Sequence, residues 1–264
     1  MTRTTTSSTT TVPPRTPPVL DPDLEAGLRR LRLAAIRREA PEVLLTAKTQ
    51  RWTPDELLRT LITLEIAARD RSNITNRLTA ARFPVAKTLD EFNLTETSIP
   101  TKSHDYLTTL DWIDQAHNVC LVGPAGTGKT HYLIGLGRAA IEAGRKVRYF
   151  TAVELIEHLY RAVADNTVGK AIEQLCRNDL LIIDEIGFAP LDHTGCQLLF
   201  RTIAAAYERR SIAIASHSPF EQWGRFLPDQ PTAVSLLDRL CHHAHIITTT
   251  GDSYRLRHRT GAAQ

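Results

Sequence analysis

Gly123-Pro124-Ala125-Gly126-Thr127-Gly128-Lys129-Thr130 fits the pattern G-x-x-x-x-G-K-[ST]. An apolar stretch, Val119 to Val122, precedes it, and a helix-compatible stretch, His131 to Ala143, follows. Strand, loop and helix in that order make a phosphate-binding loop. The glycines let the backbone curl so that successive N–H groups point at phosphate oxygens, and the helix N-terminus adds its positive dipole end. Lys129 is expected to reach the β- and γ-phosphates, and the Thr130 hydroxyl to hold Mg²⁺. Residues Gly123 to His131 are therefore the expected nucleotide cradle.

A second motif narrows the first. Leu180-Leu181-Ile182-Ile183-Asp184-Glu185 is an apolar run ending in two acids. A parallel strand covered on both faces reads as such a run, and its carboxyl end is where α/β sheets place ligands. Asp184 suits the Mg²⁺ shell, and Glu185 suits a base that polarises an attacking water. A kinase acting on a small metabolite has no need of the second acid, so the pair favours nucleotide hydrolysis.

From Asn118 onward, strands and helices alternate. Arg145 to Phe150, the Asp184 run, and Ser211 to Ser216 read as further strands, with a capping box at Thr151 and Glu154 opening a helix. Asn166 to Lys170 reads as a polar loop. Ser218-Pro219-Phe220-Glu221 is expected to cap a helix carrying Trp223, and Thr232 to Leu240 to form another. His245 to Thr249 and Ser253 to Leu256 read as strands around a Gly251-Asp252 turn. This pattern predicts a parallel sheet between helix layers.

The segment before it is different. Asp21-Pro22-Asp23 opens a helix with a capping acid and a proline at the first position. Leu24, Leu28, Leu31 and Ala35 share its face, and Pro41 breaks the run or starts another. Thr53 and Glu56 form a capping box for a helix running towards Ala80, which Phe83-Pro84 ends. The expected organisation is a disordered tail (1–19), a helical domain (20–82), a connector (83–105), an ATPase domain (106–258) and a short tail (259–264). Leu107 to Ala116 is expected to add a short helix.

The chain has 264 residues, 42% apolar and 23% charged, which suits folded domains. No apolar stretch approaches a membrane span, and the Thr/Ser/Pro-rich start lacks the apolar middle of a secretory signal. Four cysteines without metal-type spacing suit a reducing cytoplasm. Net charge is only +3. Its distribution matters more: Arg29, Arg30, Arg37 and Arg38 crowd one segment, and with Lys170 they are the expected contacts to a polyanion. Cys241-His242-His243-Ala244-His245 has the spacing of neither a zinc ribbon nor a helical ligand pair, so the sequence alone makes no metal site of it.

Together these motifs resemble the IstB-like ATPases, helper proteins of a class of bacterial insertion sequences and relatives of the DnaC-type helicase loaders. The resemblance covers residues 25 to 258. Beyond the two nucleotide motifs it rests on Tyr207-Glu208-Arg209-Arg210-Ser211, Pro219-Phe220-Glu221-Gln222-Trp223-Gly224, Leu237-Asp238-Arg239-Leu240 and Gly251-Asp252-Ser253-Tyr254-Arg255. It implies an α/β P-loop AAA+ ATPase domain, without a C-terminal lid, behind a small all-helical N-terminal domain. It also implies ATP and Mg²⁺ as cofactors and a ring or spiral of copies on duplex DNA with little sequence preference. A cognate transposase is the implied partner and the bacterial cytosol the implied location. A helicase loader shares every nucleotide-site residue and is the alternative. Arg239 matches the position of an arginine that crosses to a neighbour's γ-phosphate. At the place of the family's water-positioning Asn stands His217, which implies slower and more pH-dependent hydrolysis.

Overall fold

The computed structural model describes residues 17–254. The expected tails lie outside that range except for Pro17 to Val19, as do Arg255 and Leu256 at the end of the expected last strand. The described chain forms two compact units, one ending at Asn73 and one starting at Ile74.

The first unit is helical. Helix α1 (Pro22–Arg30) starts as its sequence dictates: the Asp21 carboxylate accepts from the N–H groups of Asp23 and Leu24. It stops earlier than the apolar spacing suggests, and α2 (Ala34–Gln50) follows. Pro41 neither ends nor starts a helix; it sits inside α2. The break falls at Leu31 to Leu33 instead. No side chain of its own caps α2. The carboxylate of Glu65, on α3 (Pro54–Ala81), accepts from the N–H groups of Ala35 and Ile36 at 2.9 and 3.1 Å. Glu65 is buried, and Arg69 one turn later pairs with its other oxygen at 3.0 Å. The Thr53–Glu56 capping box opens α3 as expected. Helix α3 ends at Ala81, one residue before the expected boundary at 82, and the division between the two compact units falls within it, between Asn73 and Ile74.

The second unit begins with the last turns of α3, a 3-10 turn (Leu94–Glu96), α4 (Thr101–Thr108) and α5 (Asp111–Asp114). Two short helices thus replace the single one expected over Leu107 to Ala116; Leu110, at φ 64°, separates them. Then come β1 (Asn118–Val122), α6 (Lys129–Glu142), β2 (Val147–Thr151), α7 (Ala152–Ala164), α8 (Val168–Leu175), β3 (Leu180–Ile186), α9 (His193–Ala206) and β4 (Ser211–Ser216). A 3-10 segment (Phe220–Arg225), α10 (Gln230–Cys241) and β5 (Ala244–Thr248) complete it. The strands form one parallel sheet in the order β2-β3-β4-β1-β5.

Side chains alternate across each strand, so the sheet builds two cores. Cys120, Val122, Leu181, Ile183, Ile212 and Ile214 face α7, α8, α9 and α10. Val119, Leu121, Leu180, Ile182, Ala213 and Ala215 face α6 and the segment before β1. All five residues of β1 and all six of β4 are buried, which is why both read as unbroken apolar or small-residue runs.

Three expectations need correction. Asn166 to Lys170 is not all loop: Val168 starts α8, whose Ala171, Ile172 and Leu175 are buried. Ser218 caps no α-helix; the Trp223 segment is 3-10, and the Ser218 carbonyl instead accepts from the Trp223 indole at 3.2 Å. Ser253 and Tyr254 form no strand after β5. The Tyr254 N–H donates to the Gly126 carbonyl at 3.0 Å, so the chain turns back onto the phosphate loop.

Candidate nucleotide site

The carboxyl ends of β1, β3, β4 and β5 meet at one cleft of about 940 Å³. Its lining includes Ala125 to His131, Asp184, Glu185, Ser216, His217, and Thr250 to Asp252. Parallel pairing dictates this convergence: Val122 lies beside Ser216 on one side and Thr248 on the other.

The loop after β1 has Gly126 at φ 82° and Gly128 at φ 90°, backbone that favours glycine. Space forbids a side chain there too. A Cβ on Gly126 would lie 2.2 Å from Ser253 Oγ, and one on Gly128 2.9 Å from the Phe92 ring. Helix α6 begins at the end of this loop with no side-chain cap. Its first N–H groups therefore face the cleft without a capping side chain, unlike those of α7 and α9, which Thr151 and Asp192 cap. An uncapped helix start behind a curled loop fits a phosphate group.

Lys129 is 8% exposed. Its ammonium donates to the carbonyls of Gly123 and Pro124, both at 2.6 Å. Burial pulls its pKa below the usual lysine range, against the opposing pull of Asp184. Gly123 and Pro124 thus act on the site through Lys129 and do not line the cleft. Thr130 lines it, half-buried. The His131 ring is held between the Thr88 carbonyl, 2.9 Å from Nε2, and the edge of Phe92.

Asp184 is 2% exposed and hydrogen-bonded at both oxygens. Its Oδ1 accepts from the Glu185 N–H at 2.8 Å and its Oδ2 from the Tyr149 hydroxyl at 2.9 Å. Thr151 lies opposite Asp184 in the β2–β3 register, so Tyr149 is its diagonal neighbour on the same face. Burial, with the charge of Asp184, pushes the Tyr149 hydroxyl far above the usual phenol range. Tyr149 therefore stays a donor throughout the working pH range.

Glu185 sits in a bulge. Ile183 pairs with Ile214 and Ile186 with Ser216, so two β3 residues oppose one of β4. The extra residue is Glu185, exposed and at φ 58°. Such a conformation costs a non-glycine residue about 1–3 kcal/mol. It turns the carboxylate out of the sheet and into the cleft. His217, exposed just past β4, faces the Phe188 ring at 6.4 Å, and both line the cleft.

Other expected residues lie elsewhere. Arg239, on α10, is not part of the cleft lining; its guanidinium stands 4.7 Å over the Phe200 ring. Lys170 is exposed on α8, in the second unit. Arg29, Arg37 and Arg38 belong to the first unit and pair with acids there: Glu25 with Arg29 at 3.0 Å and Arg37 at 4.0 Å, and Glu39 with Arg38 at 2.7 Å. Arg30 is exposed on α1. Sequence reasoning missed Tyr149, Phe92 and Thr249. The one usable signal was a tyrosine between Val147 and Phe150 in the short strand β2.

A phosphate loop at β1, paired acids at the end of β3 and this sheet order define a P-loop AAA+ ATP-binding protein. The chain belongs to the IstB-like ATP binding protein family, whose profile matches residues 26–262. It is 34% identical over 241 residues to an insertion sequence IS21 ATP-binding protein of Pseudomonas aeruginosa, covering 91% of each chain. It is 35% identical to the insertion sequence IS5376 ATP-binding protein of Geobacillus stearothermophilus, over 80% of this chain and 84% of that one. Among solved structures, AMPPCP-bound DnaA from Aquifex aeolicus is similar in fold. Its TM-score is 0.54 and its identity 18%, over 69% of this chain and 56% of that one. DnaI is similar with a TM-score of 0.51 and 17% identity, over 62% of this chain and 91% of that one.

Proposed function

We propose that this chain hydrolyses ATP, with Mg²⁺, as a helper of transposition. It assembles in ATP as a ring or spiral on duplex DNA of any sequence, deforms that DNA, and recruits and stimulates the cognate transposase in the bacterial cytosol. The observation that carries this reading is the convergence of the phosphate loop, Asp184 and Glu185 on one cleft, in a chain of the insertion-sequence family.

Mg²⁺ bound there supplies charge neutralisation for a phosphoryl group. Thr130 and Asp184 would hold it. Lys129 releases the Gly123 and Pro124 carbonyls to meet phosphate. Glu185 takes a proton from the attacking water, and His217 orients that water. Arg239, outside its own cleft, acts in a neighbouring copy, which makes hydrolysis depend on assembly; such a finger is worth ~10³–10⁵ in rate. The helical domain to residue 82 and the ATPase domain from 106 are the working units. Arg29, Arg30, Arg37, Arg38 and Lys170 contact DNA phosphates; the pairing of Arg29, Arg37 and Arg38 with Glu25 and Glu39 moderates the positive field of the first unit.

The test is assembly on random duplex and single-stranded DNA, in ATP and then ADP, followed by light scattering over a salt series. Large ATP-dependent complexes on duplex that weaken steeply with salt support the reading. Preference for single strands, or assembly only with a hexameric helicase, would replace it with helicase loading.

A further inference from the structure

The amino-terminal edge of the sheet, opposite the phosphate loop, carries a second cluster. Glu208 lies in the turn before β4, and His242 and His243 directly before β5. β4 and β5 flank β1, so the topology brings these two turns to one edge. One donor atom from each of the three side chains lies within 4.8 Å of the others. All three residues are exposed.

We propose that Glu208, His242 and His243 form a surface site for a borderline divalent transition metal, Zn²⁺ being the natural occupant. Two imidazoles and one carboxylate are a donor set for zinc and its neighbours, not for Mg²⁺ or Ca²⁺. The surroundings orient the donors as a metal site requires. The Tyr207 hydroxyl meets His242 Nδ1 at 2.7 Å; with Nδ1–H as the donor to that hydroxyl, Nε2 carries the lone pair a metal needs. The His117 ring stacks on His243, centroids 5.4 Å apart and 13° from parallel.

Simple ion pairing accounts for this arrangement poorly. His243 Nε2 is 3.5 Å from Glu208 Oε1, longer than a charge-assisted hydrogen bond of about 2.7–2.9 Å. The His242 and His243 rings stand 4.1 Å apart, which places both imidazoles at the one cluster. Glu208, at φ 54°, belongs to the left-handed turn that ends α9. A cation shared by the three groups accounts for donor atoms that lie together without pairing closely. Three protein ligands leave a fourth position for water. Occupancy ties the turn after α9 to the turn that follows α10, the helix that carries Arg239.

The experiment uses the full chain with no histidine tag. Co²⁺ is titrated and its visible absorption followed, then displaced by Zn²⁺, with thermal melting measured alongside. One Co²⁺ per chain, displaced by stoichiometric Zn²⁺ and not by millimolar Mg²⁺, is expected. Zn²⁺ at about a hundredfold excess over Kd should raise the midpoint by roughly 5–10 °C. Glu208→Gln and His243→Ala, both at exposed positions, should weaken Co²⁺ binding at least about tenfold and cut the thermal shift to about half or less. The proposal is overturned if no Co²⁺ absorption appears, if either variant binds like the parent, or if Cys241→Ser removes binding.

Discussion

Replacing Tyr149 with phenylalanine isolates one buried oxygen. The ring is 4% exposed and packs edge-on against Phe83, centroids 6.0 Å apart, so Tyr149→Phe keeps shape and packing. What disappears is the 2.9 Å donation to Asp184 Oδ2. A hydrogen bond to an ionised group contributes about 1.5–3 kcal/mol, and a carboxylate this enclosed gains little water in exchange. The nucleotide-free variant should melt roughly 3–12 °C lower. A second readout comes from alkali. Tyr149 keeps its proton in the folded protein far above the usual range, whereas an unfolded tyrosine ionises near pH ~10. Above that pH the unfolded state binds fewer protons, so stability falls as pH rises, by at most about 1.4 kcal/mol per unit for this group. The variant should therefore be less stable at pH 8 and also lose stability less steeply above pH ~10. Thermal and urea melting from pH 7 to 11 measure both. An unchanged midpoint at pH 8, or an unchanged alkaline slope, would refute the reasoning.

Glu185→Asn should separate stability from turnover: asparagine tolerates the φ of 58° better, so melting should rise by the equivalent of about 1 kcal/mol while ATP hydrolysis falls at least about 100-fold. Gly126→Ala forces a Cβ into Ser253 Oγ at 2.2 Å; nucleotide affinity, read by fluorescent-ATP titration, should collapse in a chain that still folds. His158 is held below the usual histidine range by burial and then by Arg148, Arg161 and Arg82. It takes up its proton at lower pH in the fold than in the unfolded chain, whose histidines titrate near pH ~6.5, so stability drops as pH falls below that value; His158→Gln should make the drop shallower in melts from pH 7 to 5. Glu65→Ala strips the N–H groups of Ala35 and Ile36 of their acceptor and should cost about 1.5–3 kcal/mol by urea melting.

Much of the second unit could be read from residue order, because local chemistry and tertiary packing agree there. Apolar runs gave the buried strands, and Thr151 with Glu154 gave the start of α7. Disagreements arose where one level overrode another. Pro41 looks like a helix breaker, yet tertiary packing and capping by Glu65 hold α2 through it. Gly169 and Lys170 made a polar segment look like loop, although Val168, Ile172 and Leu175 follow a helical period. The stretch after β5 resembled a hairpin because Gly251-Asp252 is a turn signal; it turns instead onto the phosphate loop. In the cleft, the loop glycines, Lys129, Asp184 and Glu185 were legible because the motif fixes their spacing. Tyr149 and the bulge at Glu185 were not, since both depend on β2–β3 and β3–β4 register, which no local pattern encodes.

The return of the chain to Gly126 sets a schedule for the newborn protein. The Thr249 N–H donates to the Val122 carbonyl at 2.7 Å, and its hydroxyl meets the Thr127 hydroxyl at 2.8 Å. Thr249 and its neighbours leave the ribosome last among the described residues, more than a hundred positions after the loop they brace. Synthesis runs at about 5–20 residues per second. For several seconds, then, the glycine loop exists without its brace, and the unfinished chain has no finished nucleotide site. A chain stalled before β5 would lack the Thr249 brace on Val122 and Thr127 and the Thr250–Asp252 wall of the cleft.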